Sequence, residues 1–247
     1  MPKQGEIDFL RNLSPEVLRY AADKPFSDPD CGQYLMSLGA IFHLLPAPPG
    51  RLLDLGCGAG WTSCFFARRG YDVVGQDICA DTIELANDNR FKYHVDNVDF
   101  VISDYEYLPF NNEFDCAVFH DSLHHAVDEE AALRGAFRAL KPGAPLVVSE
   151  PGAGHARKQQ SIDAMRDYGI TEKDMPPRHV IRLARKIGFS SWRVFPHVKP
   201  YTYLLYGARP GQPLFRLSRL PQLLKHLALA FYAAFRKRAY GIVVLTK

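Results

Sequence analysis

Two histidine-bearing stretches and one glycine-rich stretch hold the residues of this sequence that are equipped for chemistry. The first is His120-Asp121-Ser122-Leu123-His124-His125, and the second is Glu150-Pro151-Gly152-Ala153-Gly154-His155. Imidazole titrates near neutrality, so such stretches suit general acid–base work. The third is Leu52-Leu53-Asp54-Leu55-Gly56-Cys57-Gly58-Ala59-Gly60-Trp61, an apolar run that enters three alternate glycines. Glycine lets the backbone turn sharply and approach a ligand closely. A helix beginning there would present free N–H groups and a positive dipole end to a carboxylate or phosphate. Many loops contain such a pattern, so its weight depends on the elements around it.

Those elements alternate. Residues 51–55, 71–76, 98–102, 114–119, 145–149, 191–196 and 241–246 read as strands, short and apolar or β-branched. Between them, residues 60–69, 80–90, 128–140 and 177–187 read as helices, and Lys141-Pro142-Gly143 punctuates the end of one of them. Two more helices, 6–23 and 30–45, precede the first strand and are set off by Pro46, Pro48, Pro49 and Gly50. This order predicts an α/β fold, a doubly wound, Rossmann-like sheet covered by helices on both faces. Ligands of such sheets sit beyond the carboxyl ends of the strands, where all three stretches fall. One domain over 1–247 is expected: a helical cap at 1–48, a core at 50–197, an insert at 198–238 and a last strand at 239–247.

The strand–glycine–helix run is not the dinucleotide form Gly-x-Gly-x-x-Gly, because Trp61 stands where its last glycine would be. It resembles the first motif of class I S-adenosylmethionine (SAM)-dependent methyltransferases, the group that includes the small-molecule "type 11" enzymes. Val73-Val74-Gly75-Gln76-Asp77-Ile78, Ser103-Asp104-Tyr105-Glu106-Tyr107-Leu108-Pro109-Phe110, Phe114–His120 and Leu140-Lys141-Pro142-Gly143 resemble further segments of that family in order. The resemblance covers residues 50–150 well and the rest by strand order. It implies a seven-stranded sheet with the last strand antiparallel, and SAM as cofactor. It assigns cofactor contacts to Asp54, Gly56, Cys57, Gly58, Gly60, Trp61, Asp77, Ile78, Asp104, Tyr105 and His120. Asp77 would accept from the ribose hydroxyls, and Asp104 from the adenine amino group. A sulfonium leaves readily, so the chain must supply orientation, a dry site and, for a hydroxyl acceptor, a base. The order of preference for that base is His125, His124, then His155 and Glu150. His120, Asp121, His124 and His155 could instead gather a metal, but no recognised ligand spacing is present and none is expected. Amino-group and C5 methylation of DNA bases are disfavoured: neither an Asn/Asp-Pro-Pro-Tyr/Phe motif nor a Pro-Cys nucleophile follows the fourth strand. Rival readings are a SAM-binding regulatory protein without turnover and an NAD(P)-dependent oxidoreductase.

Composition sets the class and the partners. Of 247 residues, 47% are hydrophobic and 23% charged, enough for a sizeable core without disulfides or metal. The five cysteines are odd in number and form no Cys-x-x-Cys pair, which reads as free thiols in a reducing compartment. The first residues contain acids and no apolar signal region, so a cytoplasmic protein is expected. The net charge of +3 hides an asymmetry: 14 of the 30 Lys and Arg follow Asp174, and none of the 27 acids does. Within that basic third, Leu217, Leu220, Leu224, Leu227, Phe231 and Phe235 recur at three- and four-residue steps. A basic amphipathic helix over 213–238 can close the pocket, lie on the anionic inner face of a membrane, or form a dimer interface. Nucleic acid is disfavoured because the apolar stripe asks for burial. The acceptor expected by analogy is the hydroxyl of a small molecule or glycan, including a lipid-linked sugar.

Overall fold

The structure is a computed structural model that describes residues 3–197 and 240–247, together with Leu224, Leu227, Phe231, Ala234 and Phe235. Seven strands form one sheet: β1 Arg51–Leu55, β2 Asp72–Asp77, β3 Val98–Ile102, β4 Cys116–His120, β5 Pro145–Ser149, β6 Ser191–Pro196 and β7 Gly241–Thr246. Their spatial order is β3-β2-β1-β4-β5-β7-β6. β1 pairs in parallel with β2 and β4, whereas β7 runs antiparallel between β5 and β6. The order reverses between β1 and β4. That is the switch point at which the connections to the two faces diverge and leave a crevice above the strand ends.

Helices cover both faces, as predicted: α4 Trp61–Arg69, α5 Ala80–Lys92, α6 Glu129–Ala139 and α8 Pro177–Ile187, with α3 Cys31–Leu44 from the cap. The central strands are apolar on both faces because both are buried. Leu53, Leu55, Ala117, Phe119, Leu146 and Val148 pack under α6 and α8 with Leu133, Ala136, Val180 and Ala184. Leu52, Val73, Cys116, Val118 and Val147 face Phe66, Cys64, Leu38 and Ile41 of α4 and α3. Each such large side chain contributes about 1.5–3 kcal/mol on full burial.

Three elements differ from the sequence-based expectation. The helix expected over 6–23 is three pieces: α1 Gln4–Ile7, a 3₁₀ turn Leu10–Asn12 and α2 Pro15–Ala22. The break falls at Ser14-Pro15, where Pro15 supplies no N–H and the Ser14 hydroxyl accepts from Val17 N at 3.3 Å, starting a new helix. A helix that periodicity did not reveal, α7 Gln159–Tyr168, follows β5 and ends at Gly169 in a left-handed conformation. The fourth strand begins at Cys116 instead of 114; Phe114 makes only an isolated bridge to Leu140. Most of the insert expected at 198–238 lies outside the described residues. All five cysteines are free thiols. Among the described residues no helix is long and apolar enough to cross a membrane.

Candidate active site

The glycine-rich turn is shaped by contacts that admit no side chain. Gly56 follows β1 with φ +70°, and a Cβ there would stand 2.6 Å from the Cβ of Ser122. Its closeness lets the β1 and β4 loops share one wall, which the Ser122 hydroxyl secures by donating to Leu55 O at 2.6 Å. Gly58 (φ +54°) faces open space. Gly60 is a packing residue: a Cβ there would meet Phe100 of β3 at 2.6 Å and Ala86 of α5 at 2.8 Å. Behind the turn, Asp54 accepts from Thr62 Oγ1 at 2.7 Å and Ser63 Oγ at 2.6 Å, tying the strand to the first turn of α4. Burial raises the Asp54 carboxyl to about 6, against the pull of these two hydroxyls.

At the tip of β2, Asp77 accepts from Gly58 N at 2.9 Å through one oxygen and Cys79 N at 3.0 Å through the other. Burial pushes its carboxyl up while the two N–H donors oppose that. A carboxylate offers about four lone-pair sites, so both oxygens can still accept hydroxyl hydrogens. Gln76, which the sequence reading did not single out, accepts from Gly56 N at 3.4 Å and donates to Ser103 O, joining the β2 and β3 ends. Asp104 accepts from Glu106 N at 2.9 Å and pairs with Lys3, which also reaches Glu106 at 2.7 Å.

These segments meet around a cavity of about 360 Å³, a size that suits a small-molecule ligand. Gly56, Cys57, Gly58, Trp61, Asp77, Ile78, Asp104, Tyr105, His120 and His125 of the expected site all line it. Asp54 and Gly60 do not; they hold the loop from behind. The N-terminal cap supplies the other side with Glu6, Phe9, Leu13, Val17, Tyr20, Ala21 and Tyr34. Of these, motif reasoning had no hold on Glu6, Phe9, Leu13 and Val17, because they come from a cap segment whose own periodicity looked like one unbroken helix. Asp121 and Ser122 also line the cavity, and Asp121 adopts φ +51° at the end of β4.

The four candidates for the base separate in space. His125 lines the cavity, with Nδ1 2.7 Å from Thr171 O and 3.5 Å from Glu6 Oε1. Burial works against its charge, but Glu6, Glu172 and the Thr171 carbonyl outweigh that and raise it to about 9. In that form it is a cation and hydrogen-bond donor at neutral pH, not a free base. Glu150 lies below the cavity, 2% exposed, and its oxygens accept from Ser122 N, Leu123 N and His124 N at 3.1, 2.8 and 3.3 Å. It also meets His124 Nδ1 at 2.7 Å. Its place in the structure is the anchor of the 3₁₀ turn Leu123–His125. His124 and His155 stand behind His125, with their ring centres 4.8 Å apart.

Residues 53–148 match the model of a family described as "Methyltransferase domain". Over 105 residues the chain is 36% identical to the ubiquinone/menaquinone biosynthesis C-methyltransferase UbiE of Pectobacterium atrosepticum, covering 40% of this chain and 42% of that protein. Over 111 residues it is 40% identical to UbiE of Vibrio cholerae, covering 42% of each. The chain therefore spans about two fifths of the length of these curated relatives. Among solved structures, phosphoethanolamine N-methyltransferase 2 of Haemonchus contortus in complex with SAM superposes with a TM-score of 0.60 at 18% identity, over 86% of this chain and 52% of that one. That likeness concerns the fold. The sheet order, the glycine turn at its switch point and the match over residues 53–148 make that part of the chain similar to a methyltransferase domain.

Proposed function

We propose that this chain transfers the methyl group of SAM to a small acceptor enclosed by its N-terminal helices. The observation that carries this reading is that one cavity gathers the glycine turn, the acidic end of β2, the loop after β3 and the loop after β4. SAM, when bound, supplies a methyl on a sulfonium that leaves without needing a proton. Everything else is the work of the chain. Asp77 accepts from the ribose hydroxyls, and Gly56, Cys57 and Gly58 let backbone approach the amino-acid tail. Ile78, Tyr105 and Trp61 pack on the nucleoside side, and Asp104 accepts from the adenine amino group where Lys3 now pairs with it. Asp54 and Gly60 hold that frame. Phe9, Leu13, Val17 and Ala21 exclude water from the reacting end. His125 is the group that meets the acceptor, while His124, His155 and Glu150 position it.

The cap wall of Phe9, Leu13, Val17, Tyr20 and Tyr34 favours an acceptor with aromatic or other apolar surface over a bare glycan. The nucleophile is then a phenol- or quinol-type hydroxyl of such a molecule, which enters as its oxyanion with its proton already given up to water and pairs with the His125 imidazolium. The quinone-pathway names of the UbiE relatives favour a second reading, in which a ring carbon made electron-rich by a neighbouring hydroxyl takes the methyl. Calorimetry with SAM and with NAD tests the cofactor: SAM alone is expected to bind. Incubation with methyl-labelled SAM and a naphthoquinol or catechol probe, read by mass spectrometry and NMR, tests the transfer. O–CH₃ product supports the first reading and C–CH₃ the second, while SAM binding with no turnover on any acceptor leaves a regulatory binding protein.

A membrane contact is favoured by one further observation. Leu224, Leu227, Phe231 and Phe235 are helical and 48%, 58%, 75% and 68% exposed, at the spacing of one helix face, in the basic third of the chain. We read this face as lying on an anionic bilayer near a lipid-soluble acceptor. Sedimentation with phosphatidylglycerol vesicles is expected, and Phe231→Asp with Phe235→Asp should abolish it. Equal sedimentation of parent and variant removes this reading.

A further inference from the structure

Behind the cavity wall, the geometry points to a binding site for a divalent transition metal, formed by His124, His125 and Glu172 with His155 beside them. One ligand atom from each of His124, His125 and Glu172 lies within 4.8 Å of the others. The His155 Nε2 atom is 2.6 Å from Glu172 Oε2, and His124 Nε2 is 3.8 Å from the same oxygen. Glu172 Oε2 and His155 Nε2 are buried and hold one another, whereas the buried His155 Nδ1 has no hydrogen-bond partner. A buried ring nitrogen in that state, beside a carboxylate oxygen approached by two imidazoles, is a donor set that a cation would organise.

The surroundings are those of a metal-binding histidine pair. Imidazoles that ligate metals hand their other ring N–H to a carboxylate or a carbonyl, which sets the tautomer and the ring orientation. The Nδ1 of His124 meets Glu150 at 2.7 Å, and the Nδ1 of His125 meets the Thr171 carbonyl at 2.7 Å. Both arrangements leave Nε2 for a ligand bond, and at His125 the metal would replace the proton that the imidazolium otherwise carries there. The stretch bearing Glu172 is pinned on both sides. Lys173 N donates to His124 O at 3.1 Å, and Asp174 accepts from Gly154 N at 2.8 Å and Ala156 N at 3.0 Å on either side of His155. A metal 2.0–2.2 Å from each ligand would draw the atoms to roughly 3.4 Å apart, within reach of side-chain rotation. A set of imidazoles and one carboxylate suits Zn²⁺, Co²⁺, Ni²⁺ or Fe²⁺ and disfavours Mg²⁺ and Ca²⁺. The ligands come from three separate loops, which is why no local ligand motif marks them in the sequence.

The site stands apart from the choice of acceptor, because its occupancy is read without SAM or acceptor. The full chain, stripped with a chelator, is titrated with ZnCl₂ by calorimetry. One equivalent is expected to bind, and Glu172→Gln and His155→Gln, checked for native circular dichroism, should each weaken it at least tenfold. Mg²⁺ should not compete. In the parent chain, Co²⁺ should give visible absorption bands of a four-coordinate site. It should also shift two exchangeable imidazole N–H resonances, those turned to Glu150 and Thr171. No stoichiometric uptake, affinity unchanged within twofold in both variants, or Co²⁺ that leaves the imidazole resonances in place overturns the site.

Discussion

Replacing Glu150 by alanine should cost this protein stability more than it costs its chemistry. The side chain is 2% exposed and serves three backbone N–H groups, of Ser122, Leu123 and His124, as well as the His124 ring. Each buried donor left without an acceptor costs about 1–3 kcal/mol. The four bonds share one turn, so their losses do not add; breaking a buried charged network costs about 3–5 kcal/mol. In a chain of this size that corresponds to a fall in Tm of roughly 6–20 °C. Glu150→Gln keeps one oxygen for Ser122 N and Leu123 N but turns an amide N–H toward His124 N, so a loss of about 1–2 kcal/mol is expected. Urea unfolding followed by circular dichroism measures both. If Glu150→Ala stays within about 1 kcal/mol of the parent while methyl transfer collapses, the carboxylate acts on the reacting groups and the anchoring argument is wrong.

Gly56→Ala must bear both a left-handed backbone and a 2.6 Å clash with Ser122, so about 2–5 kcal/mol of stability should be lost on urea unfolding. Gly58→Ala meets open space; about 1–2 kcal/mol of backbone strain and a clear loss of SAM affinity by calorimetry are expected. Asp77→Asn removes a charged acceptor and should weaken SAM roughly 10- to 100-fold with little change in the fold, as titration calorimetry would show. The Asp54 carboxyl is raised from 3.8 to about 6 in the folded chain, so the folded state holds its proton more tightly than the unfolded state does. Its contribution is full below pH 4 and is lost as pH rises to 6, by about 3 kcal/mol. Asp54→Asn should therefore flatten the decline in unfolding free energy between pH 4 and 6, and an unchanged slope in urea titrations at pH 4, 5, 6 and 7 refutes that account.

Much of the scaffold was legible from local pattern. The alternation of apolar strands with helices of helical period and the glycine turn after β1 predicted the sheet, its antiparallel last strand by resemblance, and many of the residues that line the cavity. Such features depend on neighbours along the chain, and β3, β5, β6 and β7 fall at their expected residues. What escaped was set by distance. Whether Asp54 faces the cavity or the base of α4 depends on how the strand end meets Thr62 and Ser63. The break at Pro15 hands the cap residues Phe9, Leu13 and Val17 to the cavity, which no periodicity over 6–23 expressed. The four candidates for a base, ranked His125, His124, then His155 and Glu150 in the sequence, acquired distinct surroundings only when the β4 and β5 loops met the stretch 170–175 and the N-terminal Glu6. Residue type and spacing determine what a segment can become and which chemistry it carries. The role of each polar side chain is decided by burial and by partners tens of residues away, and only the packed chain brings those together.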